Sequence, residues 1–242
     1  MTGLASTTST AGDVEVPLHL LVVAKAPVPG EAKTRLAAGV GDEGAADVAA
    51  AALLDTLDAC ESAAPVGRRL VALTGDLTYA ARGAEIADRL RAWTVVAQCG
   101  GSFAERLVHA HRSAADVFGS TTLVVQIGMD TPQVTATDLH RLAAQVCAGQ
   151  ADVALGPAED GGWWGLVTGR AGVAEALRQV PTSRDDTGVS TRRALEGAGL
   201  QVAVGHWMRD VDTVEDAKAV ASAAPSSRFA AAWAATTTQE HR

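Results

Sequence analysis

Short apolar runs alternate along the chain with longer segments whose apolar positions recur at helical spacing. The short runs predict strands at residues 18–24, 69–74, 93–98, 122–127, 152–156, 163–168 and 200–204. The longer segments predict helices at residues 42–60, 79–90, 103–117, 136–147, 174–179 and 187–197, and one more after Thr213. This alternation predicts an α/β fold, a single domain with a mostly parallel central sheet and helices on both faces.

The two ends of the chain differ in composition from its middle. Residues 1–16 are small and polar, which predicts a disordered lead-in. Residues 17–222 carry the strand and helix pattern and form the predicted domain. Residues 223–242 are rich in Ala, Ser and Thr, with Phe229 and Trp233 as bulky members, so this tail either frays or packs as a short amphipathic helix.

Composition and charge exclude several classes of protein. The chain has 242 residues and a net charge of −8, which indicates a folded domain and no nucleic-acid partner. No apolar run reaches the length of a membrane span, and the first residues lack a signal-peptide pattern, so we expect a cytoplasmic protein without membrane association. Three scattered cysteines indicate reduced thiols. The oligomeric state stays open, a homodimer being one option.

A basic loop follows the first predicted strand. The protein has only three lysines, and this loop holds two of them, Lys25 and Lys33, together with Arg35. A loop between a parallel strand and a helix brings backbone N–H groups and cations to the carboxyl edge of the sheet. The loop therefore predicts a phosphate-binding site, although the patterns of P-loops and dinucleotide-binding loops are absent.

Carboxylates follow two other predicted strands and are expected at the same edge. Asp130 comes directly after the strand at residues 122–127, and Asp210 and Asp212 precede the last main helix. Such acids are natural ligands of Mg²⁺ or Mn²⁺, which bind one or two carboxylates together with substrate phosphates. The alternative is that Asp130 forms a turn and Asp212 is an acid at a helix N-terminus.

Glycine-rich turns provide two further candidates. The segment Glu159 to Trp164 joins acids, a double glycine and two tryptophans, which suits a substrate site, since Asp160 can accept hydrogen bonds and a ring can stack on a sugar or base. The alternative is a hairpin turn with core tryptophans, and because the rings are adjacent in a strand they point to opposite faces. Gly100 and Gly101, followed by Arg106, form a weaker candidate that is equally explained by an ordinary loop.

Four ordered motifs resemble those of a family of bacterial GT-A-fold transferases, the uncharacterised glycosyltransferases also labelled arsenosugar-biosynthesis or radical-SAM-associated transferases. The motifs are K-x-P-x-P-G-x-x-K-T-R-L at residues 25–36, G-x-D-x-P at 128–132, G-P-x-x-D-G-G at 156–162 and D-x-D-T-x-x-D at 210–216. The chain is more distantly similar to nucleotidyltransferases of the molybdenum-cofactor and phospholactate type. It departs from the family pattern at Ser102–Ala104, where D-L-G is usual, and at Trp163, where tyrosine is usual.

The resemblance implies a role for each matching position. Lys33, Arg35 and Asp130 would be catalytic, and Asp130, Asp212 and Asp210 would hold Mg²⁺ or Mn²⁺. Asp160, Gly161, Gly162 and Trp163 would face the sugar or the acceptor. The nucleotide would lie against Ala24, Lys25, Ala26, Pro27, Gly30, Lys33, Arg35, Gly100 and Gly101.

Three functions are compatible with these residues. The first is a metal-dependent glycosyltransferase that uses a nucleotide-diphospho-sugar and an unknown small-molecule acceptor. The second is a nucleotidyltransferase that moves a nucleoside monophosphate from a nucleoside triphosphate to a phosphorylated acceptor and releases pyrophosphate. The third is a nucleotide-binding regulator without turnover, against which the presence of Lys33, Asp130 and Asp212 speaks.

Overall fold

The computed structural model describes residues 17–239 and contains, within that range, one seven-stranded sheet. Its strand order is β3-β2-β1-β4-β6-β5-β7. Strand β6 runs antiparallel to both neighbours and the other pairs are parallel, which confirms the mostly parallel sheet. The strands are β1 (His19–Lys25), β2 (Arg69–Thr74), β3 (Thr94–Ala97), β4 (Val124–Ile127), β5 (Val153–Pro157), β6 (Trp163–Thr168) and β7 (Val202–Val204).

Helices cover both faces of this sheet, as predicted. The helices are α1 (Thr34–Ala63), α2 (Gly83–Leu90), α3 (Phe103–Phe118), α4 (Ala136–Cys147), α5 (Thr187–Gly197), α6 (Val214–Ala223) and α7 (Arg228–Gln239), with 3-10 helices at Leu77–Tyr79 and Val173–Gln179. Side chains of β1 alternate between the faces: Leu20 and Val22 pack with α1, α2 and α4, whereas Leu21 and Val23 pack with α3, the second 3-10 helix and α5. The predicted lead-in, residues 1–16, lies outside the described residues.

Two helix starts differ from the prediction. Helix α1 begins at Thr34 instead of residue 42, because a short helical segment that includes Arg35 comes before a bend at Gly41, which has non-helical angles (φ 70°, ψ 164°). The predicted start is therefore the start of the part of α1 that follows the bend. Helix α2 begins at Gly83 instead of residue 79. The Asp76 side chain accepts a hydrogen bond from Thr78 N, and this local bond favours a separate 3-10 turn before the helix.

The C-terminal tail forms a helix, which is the second of the two alternatives left open by the sequence. Helix α7 packs along α1, with Phe229 fully buried and Trp233 only 7% exposed. The amide of Phe229 donates to Asp55 of α1 at 2.8 Å, which holds the start of α7 in place. The tail therefore covers the helix that follows the basic loop.

The strand directions bring the candidate segments to one edge of the sheet. Strands β1, β4 and β5 are parallel to one another and end there, whereas the antiparallel β6 begins there. The basic loop, Asp130 and the turn between β5 and β6 therefore share this edge. Among the helices of residues 17–239, none combines the length and the hydrophobicity needed to cross a membrane.

Candidate functional site

A cleft of about 650 Å³ runs along this carboxyl edge, and a smaller cavity of about 290 Å³ adjoins it beside α1. The smaller cavity is lined by both lysines of the basic loop and by Asp130 and Asp212. The cleft extends across the sheet edge to Trp163 and to the start of α3. Of the predicted site residues, one or both spaces are lined by Ala24, Lys25, Lys33, Arg35, Asp130, Asp160, Gly162, Trp163, Asp210 and Asp212.

Lys33 is the central residue of the smaller cavity, which we call the α1 side of the site. Its ammonium contacts Asp130 Oδ1 at 2.6 Å and Asp212 Oδ1 at 2.9 Å, and its side chain is only 10% exposed. Burial alone would lower the pKa of Lys33, but the charges of Asp130 and Asp212 and their hydrogen bonds outweigh burial and raise it to about 12. Lys33 also has left-handed backbone angles (φ 49°, ψ 48°), which a residue with a Cβ rarely adopts.

A backbone hydrogen bond explains why the two carboxylates meet. Val211 N donates to the carbonyl of Asp130 at 2.9 Å, so the segment that carries Asp210 and Asp212 lies directly beside Asp130. Thr213 and Asp216 then form a capping box at the start of α6, which fixes the end of the same segment. The last aspartate of the D-x-D-T-x-x-D motif is therefore explained by helix capping.

Opposite charges hold Asp212 in its ionised form. Burial would raise the pKa of Asp212, but the Lys33 ammonium, its hydrogen bond and the nearby Arg35 together lower it. The Arg35 guanidinium lies 3.7 Å from Asp212 Oδ2 and is well exposed. Asp212 thus connects two of the three cations of the basic loop, Lys33 and Arg35.

Asp210 lies in the same cleft, but within residues 17–239 no hydrogen-bonded cation offsets the effect of burial on its pKa. Burial, together with the charges of Asp130, Asp160 and Asp212, raises the pKa of Asp210 to about 7, and the opposing charge of Lys33 offsets only part of this rise. Its Oδ1 is buried and has no hydrogen-bond partner among the described residues. The site therefore carries an excess of negative charge near a free carboxylate oxygen.

These residues fit a divalent cation in part. Among residues 17–239, no group of three or more His, Cys, Asp or Glu side chains is arranged to hold a metal ion, and the Lys33 ammonium lies between two of the predicted ligands. However, Mg²⁺ needs only one or two carboxylates when a substrate phosphate supplies the other oxygens. Asp210 has a carboxylate oxygen without a hydrogen-bond partner in the described range, and the carboxylates of Asp130 and Asp212 lie near it. One or two of these side chains would suffice as protein ligands.

The turn after β5 is shaped by close backbone packing. Asp160 Oδ1 accepts a hydrogen bond from Gly162 N at 2.8 Å. Gly161 has φ 88°, and a Cβ there would lie 1.8 Å from the carbonyl oxygen of Asp185, so only glycine fits. The loop of residues 180–186 therefore packs directly on this turn and lines the cleft beside it.

The two adjacent tryptophans point to opposite faces of the sheet, as the strand pattern predicts. Trp164 is 2% exposed and its Nε1 donates to the carbonyl of His206 at 3.0 Å, so it belongs to the core. Trp163 is half-buried, and its Nε1 donates to Thr191 of α5 at 3.2 Å. The hydrogen bond fixes the Trp163 ring while part of it faces the cleft.

Several predicted site residues lie away from the lining of both spaces: Ala26, Pro27, Gly30, Gly100, Gly101 and Gly161. Ala26 is fully buried, and its N–H donates to Thr74. Gly101 N donates to Glu105 Oε2 at 2.9 Å, and a Cβ on Gly100 would lie 2.8 Å from Glu105 Cβ. The double glycine therefore has a direct structural explanation in the capping of α3.

The cleft also contains residues to which the sequence assigned no role. The loop of residues 182–185 lines it together with Thr187, and Ser183 has a strained left-handed backbone (φ 60°). Gln98 lies in the floor, where its Nε2 donates to the carbonyls of Ala24 and Ala72. The cluster of Thr, Ser, Arg and Asp at residues 182–186 was the available sequence signal, but it is also the composition of an ordinary turn.

A family model described as "Uncharacterized protein conserved in bacteria (DUF2064)" matches residues 56–184, just over half of the chain. The chain belongs to this family. The match includes the G-x-D-x-P and G-P-x-x-D-G-G motifs, whereas the basic loop and the D-x-D-T-x-x-D motif lie outside it. No curated protein is significantly similar to the chain in sequence.

Solved structures identify the fold of this DUF2064 protein. A Desulfovibrio desulfuricans G20 protein, provisionally assigned as a nucleotide-diphospho-sugar transferase, is 24% identical with a TM-score of 0.72, covering 93% of this chain and 96% of that chain. A cytidylyltransferase from Leptospira borgpetersenii is 12% identical with a TM-score of 0.56, covering 93% and 96%. A CMP-2-keto-3-deoxy-manno-octonic acid synthetase in complex with CTP is 14% identical with a TM-score of 0.52, covering 85% and 97%. The predicted nucleotide-diphospho-sugar transferase-like fold is confirmed.

Proposed function

We propose that this protein is a nucleotide-dependent transferase, and that it transfers a sugar from a nucleotide-diphospho-sugar to a small-molecule acceptor. The observation that carries the proposal is the convergence of Lys33 on Asp130 and Asp212 at the carboxyl edge of the sheet. Ligands of open α/β sheets bind at this edge. The four motifs favour the arsenosugar-biosynthesis type of GT-A transferase within this proposal.

The cations of the α1 side would bind the diphosphate of the donor. Lys33 keeps its charge at every physiological pH because its pKa is raised, and the two carboxylates hold its ammonium in one place. Arg35 is exposed at the mouth of the smaller cavity and can reach a phosphate without leaving Asp212. Both would stabilise the negative charge that develops on the departing diphosphate.

Asp130, Asp210 and Asp212 would hold Mg²⁺ or Mn²⁺ together with that diphosphate. When bound, such an ion supplies Lewis-acid stabilisation of the leaving phosphate oxygens. Asp210 would offer the ion its Oδ1, which is buried and has no hydrogen-bond partner among the described residues. The protein's own contribution is to fix these carboxylates next to Lys33 before the nucleotide arrives.

The half-buried Trp163 favours glycosyl transfer over other uses of this fold. Its fixed ring faces the cleft, and an indole face is a suitable platform for a sugar ring. Nucleotidyl transfer is the second candidate, because one structural neighbour is a cytidylyltransferase and another is a synthetase solved in complex with CTP. In that case an acceptor phosphate would attack the α-phosphorus and pyrophosphate would leave.

A product assay separates the two candidates. The purified protein is incubated with Mg²⁺ or Mn²⁺ and with a panel of nucleoside triphosphates and nucleotide sugars, and products are identified by mass spectrometry. Release of a nucleoside diphosphate from one nucleotide sugar supports the glycosyltransferase. Release of pyrophosphate from a triphosphate supports the nucleotidyltransferase. If neither donor is consumed or stabilises the fold against heat, the proposed function is wrong.

A further inference from the structure

The cleft has a second rim on the opposite side of the sheet from Lys33. This rim consists of Phe103 and Arg106 on the first turns of α3 and of Ser183 and Arg184 in the loop of residues 180–186. The loop follows the 3-10 helix that packs on α3, so both parts of the rim rest on one face of the sheet. The Lys33 side of the cleft rests on α1, which covers the other face.

Arg106 differs from the other cations of the cleft in its partners. Lys25 lies 3.3 Å from Glu31, Arg35 lies beside Asp212, and Arg184 Nε lies 3.0 Å from Asp186. Throughout the described range, 17–239, Arg106 has no carboxylate within ion-pair distance, and its Nε is buried without a hydrogen-bond partner. An unpaired buried donor is costly, and more so when it is charged.

The immediate neighbours of Arg106 leave its guanidinium free to face the cleft. The adjacent acid, Glu105, is used in the capping box of α3, where it accepts hydrogen bonds from the amides of Gly101 and Ser102 at 2.9 and 3.0 Å. Phe103 stacks under the guanidinium, whose carbon lies 5.6 Å from the ring centroid. The guanidinium is thus supported by an aromatic face and has its donors available to the cleft.

We infer that Arg106 binds an anionic group of the acceptor, a phosphate or a carboxylate. The inference rests on the proposed function, because it takes the Lys33 side as the donor site. The same cleft is lined by Trp163, whose ring is anchored to α5 on this face of the sheet, whereas Lys33 lines the adjoining cavity beside α1. A planar guanidinium can donate two parallel hydrogen bonds to either kind of anion, and the positive charge of Arg184 in the same cleft adds attraction.

The test compares three ligands that share a three-carbon skeleton and differ in the group at one end: glycerol 3-phosphate, glycerate and glycerol. Their affinities are measured by calorimetry for the wild type and for Arg106→Gln, Arg106→Lys and Arg112→Gln. Arg112 is a matched control, because it lies on the same helix, is exposed and pairs with Glu175 outside the cleft. Binding of Mn²⁺ and of UDP, GDP, CDP and ADP is measured separately on the same proteins.

We expect the wild type and Arg112→Gln to bind at least one of the two anions more tightly than glycerol. Arg106→Gln should weaken this binding by roughly tenfold to a hundredfold, which is the range for losing a charge-assisted hydrogen bond. Arg106→Lys should recover part of the loss. A response to glycerol 3-phosphate alone identifies an acceptor phosphate, and a response to glycerate alone identifies a carboxylate.

Three results would overturn the assignment: equal anion affinities in Arg106→Gln and Arg112→Gln, no preference of the wild type for either anion over glycerol, or loss of nucleoside diphosphate binding in Arg106→Gln. The last result would mean that Arg106 binds the nucleotide donor and not the acceptor. Failure of the proposed function has a different signature, since the wild type itself would then bind none of the four nucleoside diphosphates.

Discussion

Replacement of Lys33 by methionine tests whether the buried ion triad holds the basic loop in place. Methionine keeps the length of the side chain and removes the charge, so the main loss is the attraction between the ammonium and the carboxylates of Asp130 and Asp212. The pKa of Lys33 rises from 10.5 to about 12 on folding. At about 1.36 kcal/mol per pKa unit, this rise corresponds to roughly 2 kcal/mol of stability.

The sign follows from the direction of the shift. Because the folded pKa is the higher one, the stabilisation is fully present below the unfolded pKa of 10.5 and is lost as the pH rises through about 12. Near neutral pH, Lys33→Met should therefore lose about 2 kcal/mol. For a domain of this size, that loss lowers the melting temperature by about 4–8 °C.

The assay is urea or thermal unfolding near neutral pH in the presence of EDTA. Lys218→Met is the matched control, because Lys218 is exposed on α6 and its substitution should leave stability within about 0.5 kcal/mol of the wild type. Without Lys33, two carboxylates face each other with no cation between them. In a parallel titration with Mg²⁺ in place of EDTA, the ion should therefore stabilise Lys33→Met more than the wild type. If Lys33→Met unfolds like Lys218→Met, the ion triad does not hold the loop.

Three other predictions concern stability. Burial lowers the pKa of His111 to about 4, so about 3 kcal/mol of stability that is present above pH 6.5 should disappear as the pH falls towards 4, and His111→Gln should abolish this dependence in urea titrations. Gly161→Ala should destabilise the protein much more than Gly172→Ala, which has the same positive φ but open space around it; equal melting temperatures would refute the close packing. Trp233→Ala should cost about 3–5 kcal/mol in denaturant unfolding, whereas Trp207→Ala, at a site 64% exposed, should cost little; a small loss for Trp233 would mean that α7 is not docked.

Much of the fold could be predicted because strand and helix periods are local properties of the sequence. The bounds of β2, β6, α4 and α5 agree with the prediction to the residue. The predicted starts of α2 and α1 were wrong where a local feature decided them. Asp76 caps a separate 3-10 turn before α2, and a short helical segment precedes the bend at Gly41 in α1. Such decisions depend on hydrogen bonds and dihedral angles that composition does not reveal.

One part of the site could be predicted from the sequence, namely which segments lie together. The carboxyl ends of parallel strands lie at one edge of the sheet, so the segments that follow them are neighbours. That rule brought the basic loop and Asp130 together, and the structure places them in contact. It could not show that Lys33 itself would lie between two of the predicted metal ligands. Nor could it separate Gly101, whose amide serves a helix cap, from a glycine that faces the cleft, because both occur in similar loops.

Arg106 illustrates the same limit. The sequence marked Arg106 only as a companion of the Gly100–Gly101 turn, a candidate that an ordinary loop explains equally well, and the chain has sixteen other arginines. The distinction of Arg106 is that its guanidinium lies over the Phe103 ring beside the cleft and has no carboxylate partner among residues 17–239. A missing ion pair is a property of the packed structure and has no signal in the spacing of residues.

The central claim is that Lys33, Asp130 and Asp212 form a nucleotide-phosphate site that also takes a divalent cation. The most direct measurement is calorimetric titration of Mn²⁺ together with UDP, GDP, CDP or ADP into the wild type, Asp130→Asn and Asp116→Asn. Asp116 is exposed on α3 and serves as the control. We expect the wild type and Asp116→Asn to bind one of these nucleotides only with Mn²⁺, and Asp130→Asn to stay folded but lose that binding. Metal-dependent binding that is unchanged in Asp130→Asn would contradict the account.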